Sequence, residues 1–141
     1  MTNVNENSRP QLIILKQYIK DLSYENPQSY DLLQSKSNPS EISIKMDAFF
    51  NSYKLDKFGV SLKFICGLDT NEKSFFHLEL DYYGFFEVKN KNSFSEVELT
   101  HESSKILFPF ARSIISNITQ NGGSLTILLD NINFNDLKKV N

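Results

Sequence analysis

Lys105–Gln120, KILFPFARSIISNITQ, is the stretch on which the reading of the chain turns. On a helix of 3.6 residues per turn, Leu107, Phe110, Ala111, Ile114 and Ile118 share one apolar face. Phe108 and Ile115 widen that face on one side, and Ile106 flanks it on the other. The apolar arc spans roughly 200° of the helix, against about 100° for an ordinary surface helix. One sheet covers about half a helix, so a second covering is needed, and another copy of the chain is the natural candidate. Leu107, Phe108, Phe110, Ile114, Ile115 and Ile118 are therefore the expected oligomer contacts. Pro109 removes one backbone donor and is expected to kink the helix or to begin its regular part.

Four strands are expected before that helix. Gln11–Glu25 alternates, with Leu12, Ile14, Lys16, Tyr18, Lys20, Leu22 and Tyr24 on one face. Ile13, Leu15, Gln17, Ile19, Asp21, Ser23 and Glu25 take the other. Pro27 ends the strand. Residues 26–41 read as a loop, in which Tyr30, Leu32 and Leu33 are apolar. The second strand runs from about Ile42 to Lys54, with Ile42, Ile44, Met46, Ala48 and Phe50 pointing one way. A turn is expected at Asp56–Gly59. The third strand, about Val60–Leu68, places Val60, Leu62, Phe64, Cys66 and Leu68 together. Asp69–Glu72 is the next turn. The fourth, about Ser74–Val88, sets Phe76, Leu78, Leu80 and Tyr82 against His77, Glu79 and Asp81. Gly84 marks a bulge or a close approach. Short turns between strands two, three and four imply an antiparallel meander with one wet face.

Ser95 and Glu98 fit a capping box, so the helical region should begin near Glu96 and run to Gln120. Asn121-Gly122-Gly123 is a helix stop. Leu125–Leu129 is an apolar connector, and Asn131 or Asn133 caps a second helix carrying Phe134 and Leu137. Strands followed by helices give an α+β domain of 141 residues, with residues 1–10 as a disordered lead.

Composition narrows the function. The formal net charge of −2 argues against nucleic acid, whose phosphates demand excess Lys and Arg. No apolar run approaches the roughly 20 residues needed to span a bilayer. The polar N-terminus lacks a signal-peptide core, so a cytoplasmic protein is expected. The single cysteine excludes an intramolecular disulfide and fits a reducing compartment. Phosphate-loop, serine-hydrolase and zinc-protease motifs are missing, and two His and one Cys in separate elements do not make a zinc site. His77 near Glu79 reads as a solvated pair rather than a catalytic base, and Cys66 as a buried thiol. No catalysis, metal or cofactor is expected. Two surfaces stand out instead. Asp21 and Glu25 on strand one, with Glu79 and Asp81 on strand four, make either a solvated face or a dock for a basic partner. Leu32 and Leu33, with Leu125, Ile127, Leu128 and Leu129, make either a satellite core or a groove for extended apolar peptide.

Several stretches in order resemble one family. Tyr18–Pro27, YIKDLSYENP, resembles the first strand of the SecB family of protein-export chaperones. Ile106–Arg112, ILFPFAR, is similar to that family's ILFPYAR segment, and Ile132–Leu137, INFNDL, to its VNFDAL segment. Gly84-Phe85-Phe86 matches its Gly-hydrophobic-Phe step. The similarity covers about Leu12–Lys138.

The resemblance implies a four-stranded antiparallel sheet with a long helix and a second helix packed on one face, assembled as a dimer of dimers. It implies an ATP-independent cytoplasmic holdase that binds unfolded precursor proteins, keeps them translocation-competent and delivers them to the SecA motor. By position, Asp21, Glu25 and Glu79 match its SecA-docking face, with His77 where the family often has Leu. The client groove would take in Leu32, Leu33, Leu125, Ile127, Leu129, Phe134 and Leu137. This connector, GGSLTILLDNINF, lacks the family's prolines, and the loop before strand two lacks its Trp. Many relatives carry a longer polar tail that contacts the zinc-binding end of SecA, whereas this chain ends at Asn141. The competing expectations are a SecB-like chaperone dedicated to one partner, such as an antitoxin, and a small enzyme or ligand-binding domain with an internal pocket.

Overall fold

The computed structural model of the chain describes residues 9–27, 42–69 and 74–131. The expected second helix, most of the 26–41 loop and most of the Asp69–Glu72 turn lie outside the described residues, as do Leu32, Leu33, Phe134 and Leu137. Of the expected lead, residues 1–8 lie outside as well, while Pro10 is buried.

The elements follow in the order β1 (Leu12–Glu25), β2 (Ile42–Ser52), β3 (Lys57–Asp69), β4 (Ser74–Val88), a short 3₁₀ turn (Lys91–Ser93) and α1 (Glu96–Asn121). They form one four-stranded antiparallel sheet in the spatial order β1-β4-β3-β2, followed by one long helix. The β2-β3-β4 meander is as expected. β1 lies beyond β4, so the chain leaves one edge of the sheet at Glu25 and re-enters at the opposite edge at Ile42.

β3 and β4 form the middle of the sheet and supply most of the core. Phe58, Val60, Leu62, Phe64, Cys66 and Leu68 alternate on the helix-facing side of β3, and all are buried. Phe76, Leu78, Leu80, Tyr82, Phe86 and Val88 do the same on β4. Each such side chain contributes about 1.5–3 kcal/mol when fully removed from water. Leu99, Leu107, Phe108, Ala111 and Ile115 close the core from α1. Gly84 is a close approach, and the bulges lie elsewhere: a Cβ there would stand 2.7 Å from the Leu107 Cδ2 methyl.

Two local readings change. The β2–β3 turn falls earlier than Asp56–Gly59, because β3 already begins at Lys57. Leu55 supplies the left-handed residue, at φ 62°, and is 85% exposed. Tyr53 N–H closes the turn on the Lys57 carbonyl at 3.0 Å. β1 also departs from simple alternation. Its register against β4 shifts between Ile14 and Lys16 and again between Ile19 and Asp21. Each extra residue reverses the faces. Ile14, Gln17, Ile19, Leu22 and Tyr24 thus face the helix side, while Lys16, Tyr18, Asp21, Ser23 and Glu25 face away.

The helix is bounded as its sequence dictates. The Ser95 side chain accepts from Glu98 N–H at 3.1 Å. At the other end Gly123, at φ 76°, takes the left-handed position; Ser124 N–H reaches the Thr119 carbonyl and Gly123 N–H that of Gln120. That pair of bonds is a Schellman cap. Pro109 stands inside the helix instead of beginning it. No described helix is long and apolar enough to cross a membrane.

Candidate docking and client surfaces

The outer face of the sheet, away from α1, carries the acidic residues. In the β1–β4 pairing Asp21 is opposite Asp81, Ser23 opposite Glu79 and Glu25 opposite His77. The two bulges cancel, so Asp21, Ser23 and Glu25 return to the outward face of Ile13, the face that holds His77, Glu79 and Asp81. All four residues expected to dock a basic partner are therefore gathered at one end of one face. Asp81 is compensated by Lys63, 4.0 Å away, and by a hydrogen bond from the Ser61 hydroxyl. His77 Nε2 lies 3.1 Å from Glu79 Oε1. Among the described residues Asp21 and Glu25 have no cation within ion-pairing distance. Lys45 pairs with Asp47 at 3.9 Å on β2. At this end of the face the acidic residues lie on β1 and β4, and Lys63 of β3 and Lys45 of β2 offset part of the charge.

The other end of the same face is aromatic, a feature that alternation along the chain does not reveal. Tyr18 packs on Tyr83 with ring centroids 5.5 Å apart, and the Tyr53 and Tyr83 hydroxyls are 2.7 Å apart. Lys16 lies over the Tyr18 ring and Lys20 over the Tyr83 ring, at 5.4 and 5.3 Å. Gly59 makes the room, since a Cβ there would overlap the Tyr83 hydroxyl. Burial, and then the Tyr53 hydroxyl, push the Tyr83 phenol far above the ordinary tyrosine range. The missed signal lay in β1: without the first bulge, Tyr18 reads as a neighbour of Ile14.

The connector after α1 turns back along the helix. Ile127 N–H donates to Thr119 Oγ1 at 3.0 Å, and the Thr119 hydroxyl donates to the Ile115 carbonyl at 2.8 Å. Further along, Arg112 Nη1 donates to Asn131 Oδ1 at 2.9 Å. Tyr24 ties β1 to the same segment, its hydroxyl donating to Ser124 Oγ at 2.7 Å. A groove of about 390 Å³ results, lined by Pro109, Arg112, Ser113, Ser116, Leu128 and Leu129. Within the expected client set Ile127 is buried and joins the core, Leu129 is half-buried and Leu125 is exposed. Leu128 is the most open of the apolar connector residues, at 75%.

The six expected oligomer contacts divide. Leu107, Phe108 and Ile115 are buried against the chain's own sheet. Phe110 is 48% exposed, and Ile114 and Ile118 are half-buried. Phe110 stacks on Tyr82 at 6.3 Å, and Tyr82 is paired with Ile19 of β1. Ile19 and Ile14, on the helix side of β1, are themselves exposed. Phe110, Ile14 and Ile19 thus lie on the uncovered part of one side of the sheet, ending at the open edge of β1.

Comparison with known proteins gives the following. The family model described as preprotein translocase subunit SecB matches residues 5–140. A protein-export protein SecB from Bartonella bacilliformis is 36% identical over 131 residues, covering 92% of this chain and 82% of the relative. One from Bradyrhizobium diazoefficiens is 36% identical over 134 residues, covering 94% and 83%. Among solved structures, a SecB-like chaperone of Mycobacterium tuberculosis in complex with a ChAD peptide from the HigA1 antitoxin superposes with a TM-score of 0.66 at 8% identity, covering 86% of this chain and 91% of that one. A Streptococcus agalactiae protein of unknown function superposes at 0.55, with 8% identity and 87% and 99% coverage. At such identity these two share the fold.

Proposed function

The chain belongs to the SecB family of preprotein translocase subunits, and from that premise we propose that it serves protein export as an ATP-independent holdase. It binds unfolded precursor proteins in the cytoplasm, keeps them translocation-competent and passes them to the SecA motor. The observation that carries this reading is the family match, which runs across the whole sheet-and-helix unit. The geometry supplies a physical route. Unfolded chains expose apolar side chains and unpaired backbone, and each weak contact adds about 25 cal/mol per Å² of apolar area removed from water. Leu125, Leu128 and Leu129 offer such area beside a shallow groove on α1. Release then requires a competitor and no chemistry.

The working form is a homotetramer, a dimer of dimers. Two features support it: the uncovered side of α1 around Phe110, and the open edge of β1, where Ile13, Ile14, Leu15 and Ile19 are exposed. An apolar edge strand left bare invites pairing with other chains, so a protein of this design covers it with its own copy. Motor docking falls to Asp21, Glu25, His77 and Glu79 on the opposite face, which suits a basic segment of SecA.

The test is light scattering of a chemically unfolded precursor diluted into buffer. Stoichiometric protein should suppress aggregation equally with and without ATP. No suppression, or suppression confined to one folded partner, would favour the dedicated chaperone.

A further inference from the structure

His77 lies inside the acidic cluster, and imidazole is the side chain whose charge ordinarily changes between about pH 5 and 8. Its Nε2 is 3.1 Å from Glu79 Oε1, and its cross-strand neighbour on β1 is Glu25. Side chains directly opposite each other in an antiparallel pair have Cβ atoms about 4.5–5.5 Å apart, so both carboxylates feel a charge on the ring. On β3 the neighbour of His77 is Gly67, and beyond it on β2 stands Ser43; neither brings a charge. One register row along, Lys45 of β2 has its ammonium 3.9 Å from Asp47. Among the described residues, the charged groups in register with His77 and next to it on this face are therefore Glu25 and Glu79. α1 packs on the other side of the sheet and carries the chain's other histidine, His101. The His77 and Glu79 side chains are 43% and 51% exposed, so both solvent protons and a docking partner reach them.

We propose that His77 is a proton-controlled switch on motor docking: neutral, it leaves the charge of Glu25 and Glu79 to a basic segment, and protonated, it takes up Glu79 and repels that segment. This deepens the docking reading given above and rests on it. A neutral ring donates its Nε2–H to the Glu79 carboxylate and leaves the negative charge in place. An imidazolium turns the same contact into an ion pair and sets a cation beside Glu25. The Lys and Arg side chains of a partner then meet a weaker field and a like charge. Linkage gives the sign. A docked cation disfavours the imidazolium, so docking expels a proton from His77 and weakens as pH falls through the imidazole range. Ordinary carboxylates stay ionised across that range, so the histidine alone carries the response on this face.

The experiment is isothermal titration of the full assembled protein with SecA at low salt, at pH 6 and pH 8. The wild type should dock about three- to tenfold more weakly at pH 6, the scale of a single added charge at close range near a protein surface. His77→Gln should lose this pH dependence, whatever its affinity at pH 8, and His77→Arg should dock more weakly than the wild type at pH 8. Repeating the titration at pH 6.5 in buffers of different ionisation heat should show protons released on docking by the wild type, and fewer by His77→Gln. The same SecA serves every variant, so its own titration cancels in the comparison. If Glu79→Lys weakens docking while wild type and His77→Gln share one pH dependence and one proton release, the switch is refuted and the docking face stands. If Glu79→Lys docks as tightly as the wild type, the docking reading fails and the switch falls with it.

Discussion

Asp21 of β1 stands directly opposite Asp81 of β4, and among the described residues only Asp81 has a cation, Lys63, within 4.0 Å. Like charges placed opposite each other in a sheet cost about 0.2–1 kcal/mol. The fold accepts that cost and keeps Glu25 and Glu79 on the same face. The arrangement suits docking of a basic partner. Glu79→Lys is expected to weaken SecA binding several-fold at low salt, while client holding persists. Asp21→Asn should weaken docking and raise stability by a few tenths of a kcal/mol, within the range for such pairs. Titration calorimetry with SecA, paired with urea unfolding, checks both. Unchanged SecA affinity at low salt, where screening is weakest, sinks the docking assignment.

Phe110 and Leu107 are three residues apart on α1 and have different fates, one about half exposed and one buried. Phe110→Asp should therefore split the assembly while leaving the subunit folded, and Leu107→Ala should destabilise the subunit by about 2–5 kcal/mol. Sedimentation velocity alongside circular dichroism separates the two effects. A Phe110→Asp protein that keeps its wild-type sedimentation coefficient removes this face from the interface.

Ile127 and Leu128 are neighbours with different environments. Ile127 is held by the core and by Thr119, and Leu128 is in solvent. Leu128→Asp should lower affinity for an unfolded client several-fold at unchanged stability. Ile127→Ala should cost about 2–5 kcal/mol in unfolding free energy. Equal client affinity for Leu128→Asp and wild type, measured by fluorescence anisotropy of a labelled unfolded client, would place client capture elsewhere.

Burial pushes the Cys66 thiol up from 9.0 to about 11. A raised value for an acid means that the folded state holds the proton more tightly than the unfolded one. The resulting stability is complete below pH 9 and is lost as pH climbs towards about 11. The loss from this group is at most about 3 kcal/mol, since each tenfold difference in proton affinity between the folded and unfolded chain is worth about 1.4 kcal/mol. Tyr82 and Tyr83 move in the same direction through burial and act at higher pH. Urea unfolding at pH 8 and pH 10.5 should show the drop for wild type and a smaller one for Cys66→Ala. The same burial should make Cys66 resist alkylation at pH 8 until the protein is unfolded.

Much of the architecture could be read from residue patterns. β3 and β4 are flanked on both sides, so period-two alternation from Val60 to Leu68 and from Phe76 to Tyr82 survives intact. Ser95 and Glu98 marked the helix start because a cap is a local event. β1 was harder. It is an edge strand, free to take extra residues, and nothing local announces the register shifts after Ile14 and Ile19. The acidic cluster was legible nonetheless, because the two shifts cancel and Asp21, Ser23 and Glu25 keep the face that plain alternation assigns them. The Tyr18–Tyr83–Tyr53 cluster was not, since it needs the first shift, the notch at Gly59 and the turn at Leu55. The sheet covers only part of the wide apolar arc of α1 and leaves Phe110 48% exposed. Which residues the sheet takes, Leu107, Phe108 and Ile115, depends on the helix's rotation, which periodicity alone leaves open.

The most direct test of the central claim is sedimentation of the protein at micromolar concentration, alone and with an unfolded export precursor, on one sample without nucleotide. The account predicts a species of four chains that takes up the precursor and holds it in solution. A stable single chain that leaves the precursor to aggregate would contradict it.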